Sequence, residues 1–303
     1  MGFPKTLQEF QAAFPDEQSC WEAVRRLRWP RGFVCPRCGD GRSSWISSRR
    51  LEQCAACRYQ CSVTAGTVFH RTRVPLRTWF WAIFFLARHK KGISALQLQR
   101  DTGLGSYETA WTLLHKLRSG LRPRAAARLT GEVEADESYI GGRCRGWPGR
   151  GVGKTGVAVV VERRDHSAGA VRLAVVRQAS TAELTSFVRG AIDAREATVF
   201  TDAWRAYAAL SRQGVAHRPQ VQGRGSNAAK ILPWAHTVFG NLKTWLRGTF
   251  HGVSPKYLQR YLDEFSYRFD RRWREGELFG FVLRRAIQAA PLARYELVAE
   301  PVG

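Results

Sequence analysis

Four cysteines in two tight pairs constrain this chain more than any other feature. Cys35-Pro36-Arg37-Cys38 is followed by fifteen residues and then by Cys54-Ala55-Ala56-Cys57. Each Cys-x-x-Cys turn presents two thiolates side by side, and two such turns give four soft ligands the tetrahedral arrangement that zinc prefers. A redox role would need a thioredoxin-like surrounding, which the flanking residues do not supply. Four protein ligands leave no open coordination position, so the expected Zn²⁺ is structural. Cys20, on an apolar helical face, and Cys61, just past the second pair, read as buried hydrophobes. Cys144 has no visible partner.

Charge narrows what such a module serves. Lys and Arg number 48 against 25 acids, a formal net charge of +23. The excess runs along the whole chain with aromatics interleaved, the pattern of a nucleic-acid-binding protein, and its field attracts polyanions. No stretch approaches the about 18 apolar residues of a membrane span. The N-terminus, Met1-Gly2-Phe3-Pro4-Lys5, leads into a polar segment with no apolar core of a signal peptide. A cytoplasmic protein with no membrane partner is expected.

Three regions are expected: residues 1–70, a short helix and the cysteine module; 71–128, helical; and 129–303, an α/β domain with a helical tail. Asp16 can cap a helix carrying Cys20, Trp21, Val24 and Leu27 on one face, and Pro75 can open another with Leu76, Trp79, Phe80, Ile83, Phe84 and Ala87 inward. Ala95 and Leu98 lie on a short helix, Gly103-Leu104-Gly105 turns, and Ser106 starts a helix with Tyr107, Ala110, Trp111, Leu114, Leu117 and Leu121 inward. Helix, glycine turn and helix is the helix-turn-helix pattern, and Lys90, Lys91, Arg100, Lys116 and Arg118 make it a candidate DNA contact. Arg122 to Arg128 is the best boundary.

Beyond residue 130 the rhythm becomes that of strands: Val133–Ile140, Gly156–Glu162, Val171–Arg177, Ala197–Thr201 and Val215–Val221, with a helix over Thr181–Ala194. Three strands, helix, strand, short helix, strand and then helices is the order of a ribonuclease-H-like fold, a mixed five-stranded sheet with helices, among other α/β arrangements.

Aspartate is scarce, with nine in the chain. Asp136 sits in the acid-rich strand Glu132-Val133-Glu134-Ala135-Asp136-Glu137, and Asp202 follows the apolar strand end Val199-Phe200-Thr201. Carboxylates in a strand and at the end of its neighbour can meet and bind hard cations such as Mg²⁺. Two such ions about 4 Å apart would support phosphoryl transfer. A third ligand should come from a later helix. Asn241 can offer its carbonyl oxygen, and its rival is Glu264, which is also four residues before Arg268 and so suited to a surface ion pair. Gly149–Thr155 looks superficially like a phosphate loop, but Pro148 stands where its first glycine should be and a strand follows where a helix is required.

Several long blocks resemble one family. Arg28-Trp29-Pro30-Arg31-Gly32-Phe33-Val34 leading into the first cysteine pair is similar to its zinc ribbon. Val133 to Gly142, Thr201-Asp202-Ala203-Trp204, Asn241 to Val253 and Tyr261 to Phe269 are similar to its catalytic blocks. The chain resembles the ISXO-like insertion-sequence transposases of bacteria from about Phe14 to Arg272. That resemblance implies a ribonuclease-H-like DDE-type domain that cleaves element ends and joins them to target DNA. Asp136, Asp202 and Asn241 match its three catalytic, metal-binding positions, with Glu264 in an assisting role. Lys243, and Arg247 in the same block, match basic positions for DNA. His217 and His236 match polar positions near the site, and the family more often has Asn where Asp270 stands. The resemblance further implies Mg²⁺ or Mn²⁺ as catalytic metal, double-stranded DNA as partner, a homo-oligomer, and a bacterial, nucleoid-associated location. The rival functions are a nuclease of the same fold that cuts without joining, and a zinc-ribbon DNA-binding regulator or inactive copy.

Overall fold

The computed structural model describes residues 2–123, 127–141, 154–221 and 231–299, which divide into two compact units. The first begins with two short helices, α1 (Leu7–Ala13) and α2 (Glu17–Arg28). Asp16 starts α2 as expected, its Oδ1 accepting the Ser19 N–H at 2.8 Å. A three-stranded antiparallel sheet follows, β1 (Ser43–Ile46), β2 (Leu51–Cys54) and β3 (Gln60–Ser62). Next comes the apolar helix α3 (Leu76–Arg88), which has no cap of its own. Its first N–H groups, on Leu76 and Arg77, donate instead to the two carboxylate oxygens of Glu17 at 2.7 and 2.8 Å.

Helices α4 (Ala95–Thr102) and α5 (Tyr107–Gly120) meet across Gly103, whose φ of 68° is the left-handed conformation that ends a helix. The inward face of α5 holds Ala110, Leu114 and Leu117, but Tyr107, expected inward, is exposed.

The second unit is the α/β domain. Strands β4 (Leu129–Ile140), β5 (Thr155–Arg164), β6 (Ser167–Val176), β7 (Ile192–Thr201) and β8 (Ala216–Pro219) form one sheet in the order β6-β5-β4-β7-β8. The first three strands pair antiparallel, and β7 and β8 add on parallel. Helix α6 (Thr181–Ala191) makes the crossover from β6 to β7, and the single-turn α7 (Ala209–Arg212) precedes β8. Helices α8 (Pro233–Phe250) and α9 (Pro255–Phe269) complete the domain. This is a ribonuclease-H-like α/β fold. Strand alternation splits its core in two: Val133 and Ala135 of β4 face the cluster containing Leu184 and Val188 of α6, while α8 and α9 pack with Val157, Val159 and Leu173 in the other cluster. Thr155 opens a strand, the context that disqualifies a phosphate loop; Cys144 and residues 149–153 lie outside the described residues.

Two boundaries differ from expectation. Helix α6 stops at Ala191, because Ile192 already pairs with Leu129 of β4, so β7 starts five residues before the expected Ala197. The last helices, α10 (Leu278–Gln288) and α11 (Arg294–Ala299), fall in the first unit, which comprises the segments up to Leu121 and Trp273–Ala299, whereas the second spans Arg122–Arg272. The tail was expected to continue the α/β domain. The reason it does not is aromatic: Phe279 packs with Phe10, Phe14 and Phe80 at ring-centroid distances of 5.9, 5.7 and 6.0 Å. Among the described residues no helix is long and apolar enough to cross a membrane.

Candidate functional site

The four cysteines of the first unit converge as the spacing requires. Their sulfur atoms all lie within 4.8 Å of one another, with Cys35–Cys57 and Cys38–Cys54 each at 3.6 Å. Tetrahedral Zn–S bonds of about 2.3 Å put sulfurs about 3.8 Å apart, so the number, type and spacing of these donors suit zinc. Burial opposes the Cys35 thiolate, but the N–H groups of Cys38 and Arg37 outweigh it and bring its pKa down to about 6. Cys61 and Cys20 are buried outside the cluster, and burial pushes the Cys20 thiol up to about 12. Both behave as hydrophobes. Among the described residues, these four cysteines are the one group of three or more His, Cys, Asp or Glu side chains close enough to share an ion.

In the second unit, β4 presents its even-numbered side chains to one face of the sheet, and α8 runs past them. Glu134 is fully buried; its Oε2 accepts the N–H groups of Trp234 and Ala235 at 2.9 and 2.8 Å, and its Oε1 meets Arg163 Nε at 3.1 Å. Burial nonetheless raises its pKa against the pull of those donors. Asp136 is next along the face, 8% exposed, with His236 Nε2 at 4.0 Å from its Oδ2. Its Oδ1 accepts the Glu137 N–H at 2.8 Å. Ser138 follows, and its hydroxyl meets the ammonium of Lys243 at 2.7 Å. The α8 N-terminus, His236 and Lys243 therefore answer Glu134, Asp136 and Ser138 in sequence.

Asp202 reaches the same end of the sheet from β7. The parallel register runs to Glu134 and Phe200, and Asp202 follows Thr201, the last residue of β7. Asp202 is exposed, and its Oδ1 accepts the Trp204 N–H at 3.0 Å in the turn where Ala203 takes a φ of 64°. From the opposite face of β4, Glu137 accepts the Tyr207 hydroxyl proton at 2.9 Å. Burial, then the charges of Glu137, Asp136 and Asp202, hold the Tyr207 phenol well above its ordinary pKa. One buried hydroxyl thus feels all three carboxylates. His217, on β8, has its Nε2 2.9 Å from Oγ1 of Thr201, the residue before Asp202, and its pKa is lowered by burial.

Other expected site residues sit elsewhere. At 100° per residue, Asn241 is about 140° around α8 from His236 and about 160° from Lys243, so it projects from the other flank of the helix, where it is exposed. Glu264 is fully buried on α9, which packs on β6, two strands from β4, and its Oε1 is 3.6 Å from Arg268 Nη1. The pairing with Arg268 follows the spacing; the complete burial does not. Arg247 is exposed on the same flank as Lys243. In the first unit Lys116 is half-buried, with its pKa lowered by that burial, while Arg118 is 1% exposed and its Nη2 lies 3.5 Å from the Ile93 carbonyl. An Arg118 buried in this way is packing, not a DNA-facing side chain. Sequence reasoning missed Glu134, Glu137 and Tyr207. The unusual density of acids in β4 was their signal, since four carboxylates in six residues need partners.

Comparison with known proteins bears on the same two regions. Residues 15–60 match the model of a transposase zinc-ribbon domain, and residues 128–270 match that of an ISXO2-like transposase domain. A protein of Halobacterium salinarum, described as an uncharacterized protein in transposable element ISH50, is 28% identical over 84% of this chain and 91% of its own length.

Proposed function

Because the chain belongs to the insertion-sequence transposases that combine a zinc ribbon with an ISXO2-like domain, we propose that it cleaves the ends of its element and joins them to target DNA by metal-dependent phosphoryl transfer. The observation that supports this reading is that Asp136 on β4 and Asp202, the residue after β7, come close enough for both charges to act on the one Tyr207 hydroxyl, with Lys243 one step along the face of Asp136. Two hard carboxylates suit Mg²⁺ or Mn²⁺. Two such ions, when bound, supply Lewis acidity for the attacking and leaving oxygens. Asp136 and Asp202 would hold them. Lys243, oriented by Ser138, binds a phosphate of the reacting strand, and His236 completes the wall beside Asp136. Asn241, on the far flank of α8, and Glu264, buried on α9, have no assigned step. In joining, the 3′-hydroxyl oxygen of the element bonds to a target phosphorus, the target P–O3′ bond breaks, and the hydroxyl proton passes to solvent. The zinc ribbon and the α4–α5 pair hold DNA, and two element ends require at least two copies of the chain.

The test uses full-length zinc-loaded protein, duplexes from both borders of its reading frame, and Mg²⁺ or Mn²⁺. Cleaved and joined products from the wild type, absent in Asp136→Ala and Asp202→Ala proteins that still bind DNA, are expected. Cutting without joining points to a nuclease. Binding without cutting in either metal overturns the reading in favour of a regulator or an inactive copy.

A further inference from the structure

Past the carboxylates, the same face of the second unit opens into a cleft of about 450 Å³, lined in part by Tyr139, Lys243, Leu246, Arg247, Val253 and Leu258. That volume falls in the range, about 300–1,000 Å³, of sites that enclose a small molecule and not a duplex. Its lining includes apolar and cationic side chains. Leu246 and Leu258 are buried parts of the domain core that form an apolar floor, and Val253 packs beside them. Lys243 and Arg247 line the same cleft. Burial first, then the neighbouring Arg247, lower the pKa of Lys243; Asp136 opposes the shift and Lys154 adds to it. An apolar floor has no use for phosphate alone, and two cations have no use for an apolar ligand alone. A nucleotide satisfies both, provided that its base has left the helical stack, as in enzymes that read a flipped base between apolar side chains.

Position agrees with this. Ser138, which orients Lys243, is two residues from Asp136, about 7 Å along an extended strand. The cleft therefore begins within a nucleotide's reach of the carboxylate pair. We propose that it receives one unstacked nucleotide of the DNA end, its base on the Leu246–Leu258 floor and its phosphate between Lys243 and Arg247. The proposal rests on the transposase reading and adds to it the form in which the DNA is held.

The experiment places 2-aminopurine, whose fluorescence rises on leaving the stack, at successive positions of border duplexes. Full-length zinc-loaded protein is added with no further divalent cation, so no cleavage is needed, and anisotropy reports binding separately. A several-fold rise at one position or two adjacent ones is expected with the wild type. Val253→Trp, which fills the cleft, should abolish it, and Arg247→Gln, at an exposed position that does not threaten folding, should weaken it while both still bind the duplex. Bound duplex with no rise at any position overturns the proposal and leaves the transposase reading standing. So does a rise unchanged in Arg247→Gln and in a folded Val253→Trp. Failure of the wild type to bind border duplexes overturns the transposase reading, and this inference with it.

Discussion

Asp270 ends helix α9 with a carboxylate that ties it to the sheet. Its Oδ1 accepts the Val171 N–H at 2.8 Å and its Oδ2 meets Arg172 Nη1 at 3.0 Å. Burial raises its pKa, against the opposing pull of that N–H and of Arg172. A carboxylate whose folded pKa is above its unfolded value contributes stability that is present below the unfolded pKa and is lost as pH rises through the folded one. Asparagine, the residue that the family resemblance would put here, keeps the acceptor for Val171 and has no charge to bury. The Asp270→Asn protein should therefore gain stability relative to the wild type as pH rises from about 4 toward 7. Urea midpoints at either end of that window measure it, and a trend of the opposite sign would mean that the Arg172 pair outweighs desolvation. At this scale the sequence was legible where chemistry is carried by strands. The face that Asp136 takes is legible because a strand fixes side-chain direction by simple alternation, and Asp202 is legible as the residue that follows an apolar strand end. Asn241 could not be oriented, since the rotation of α8 about its axis is decided by which of Ala235, Val238 and Leu242 enters the core. The same ambiguity in the rotation of a helix hides the burial of Arg118 from the sequence.

Helices α3 and α8 share a device at the scale of elements. Neither has a side-chain cap of its own, and each begins at a proline, Pro75 or Pro233. Each borrows a glutamate from a distant element, Glu17 for α3 and Glu134 for α8, which accepts two first-turn N–H groups at once. An anion at a helix N-terminus satisfies otherwise unpaired donors and the helix dipole together. Glu134 is the costlier of the two because it is fully buried and also pairs with Arg163. Glu134→Ala should destabilise the second unit by about 3–5 kcal/mol, the usual result of leaving one member of a buried pair alone. Glu134→Gln, which retains an acceptor, should cost clearly less; equal losses in chemical denaturation would deny the capping role. Spans of 59 and 100 residues separate these partners, so no local pattern could announce them. The ribbon is the contrasting case, since all four ligands were legible from two short repeats. Its buried apolar cluster is small: Phe33, Cys35, Cys54 and Cys61. Cys54→Ser should release the zinc and remove amide-exchange protection from residues 43–62, while β4 to β7 keep theirs. Retained protection in 43–62 without metal would show that the ribbon folds on packing alone.

The whole chain is not assembled in the order in which it is written. Its first compact unit takes residues from both ends, and the α/β unit is an uninterrupted stretch between them. In sequence the C-terminal segment looks like a tail of the α/β domain, because its periodicity shows that α10 has an apolar face without showing what that face meets. The partner was visible only as a surplus elsewhere: Phe3, Phe10, Phe14, Phe80 and Phe84 are more aromatic surface than α1 and α3 can cover by themselves. Phe279 reaches all five, with ring centroids between 5.7 and 6.4 Å. Leu278, Val282, Leu283 and Ala286 of the same helix are also buried. Removing residues after Arg272 would uncover that cluster, and an exposed apolar patch of this size makes a protein associate. The two cores of the α/β unit, in contrast, are drawn wholly from residues 129–269. A fragment of residues 122–272 should therefore be monomeric and unfold cooperatively, whereas a fragment of residues 1–272 should self-associate and lose amide protection in α3 while keeping it in β4 to β7. Size-exclusion chromatography and hydrogen exchange on the two fragments decide the matter. A monomeric 1–272 fragment with α3 protected would mean that the N-terminal aromatics close on one another without α10, and that the chain's return to its beginning is not what holds the first unit together.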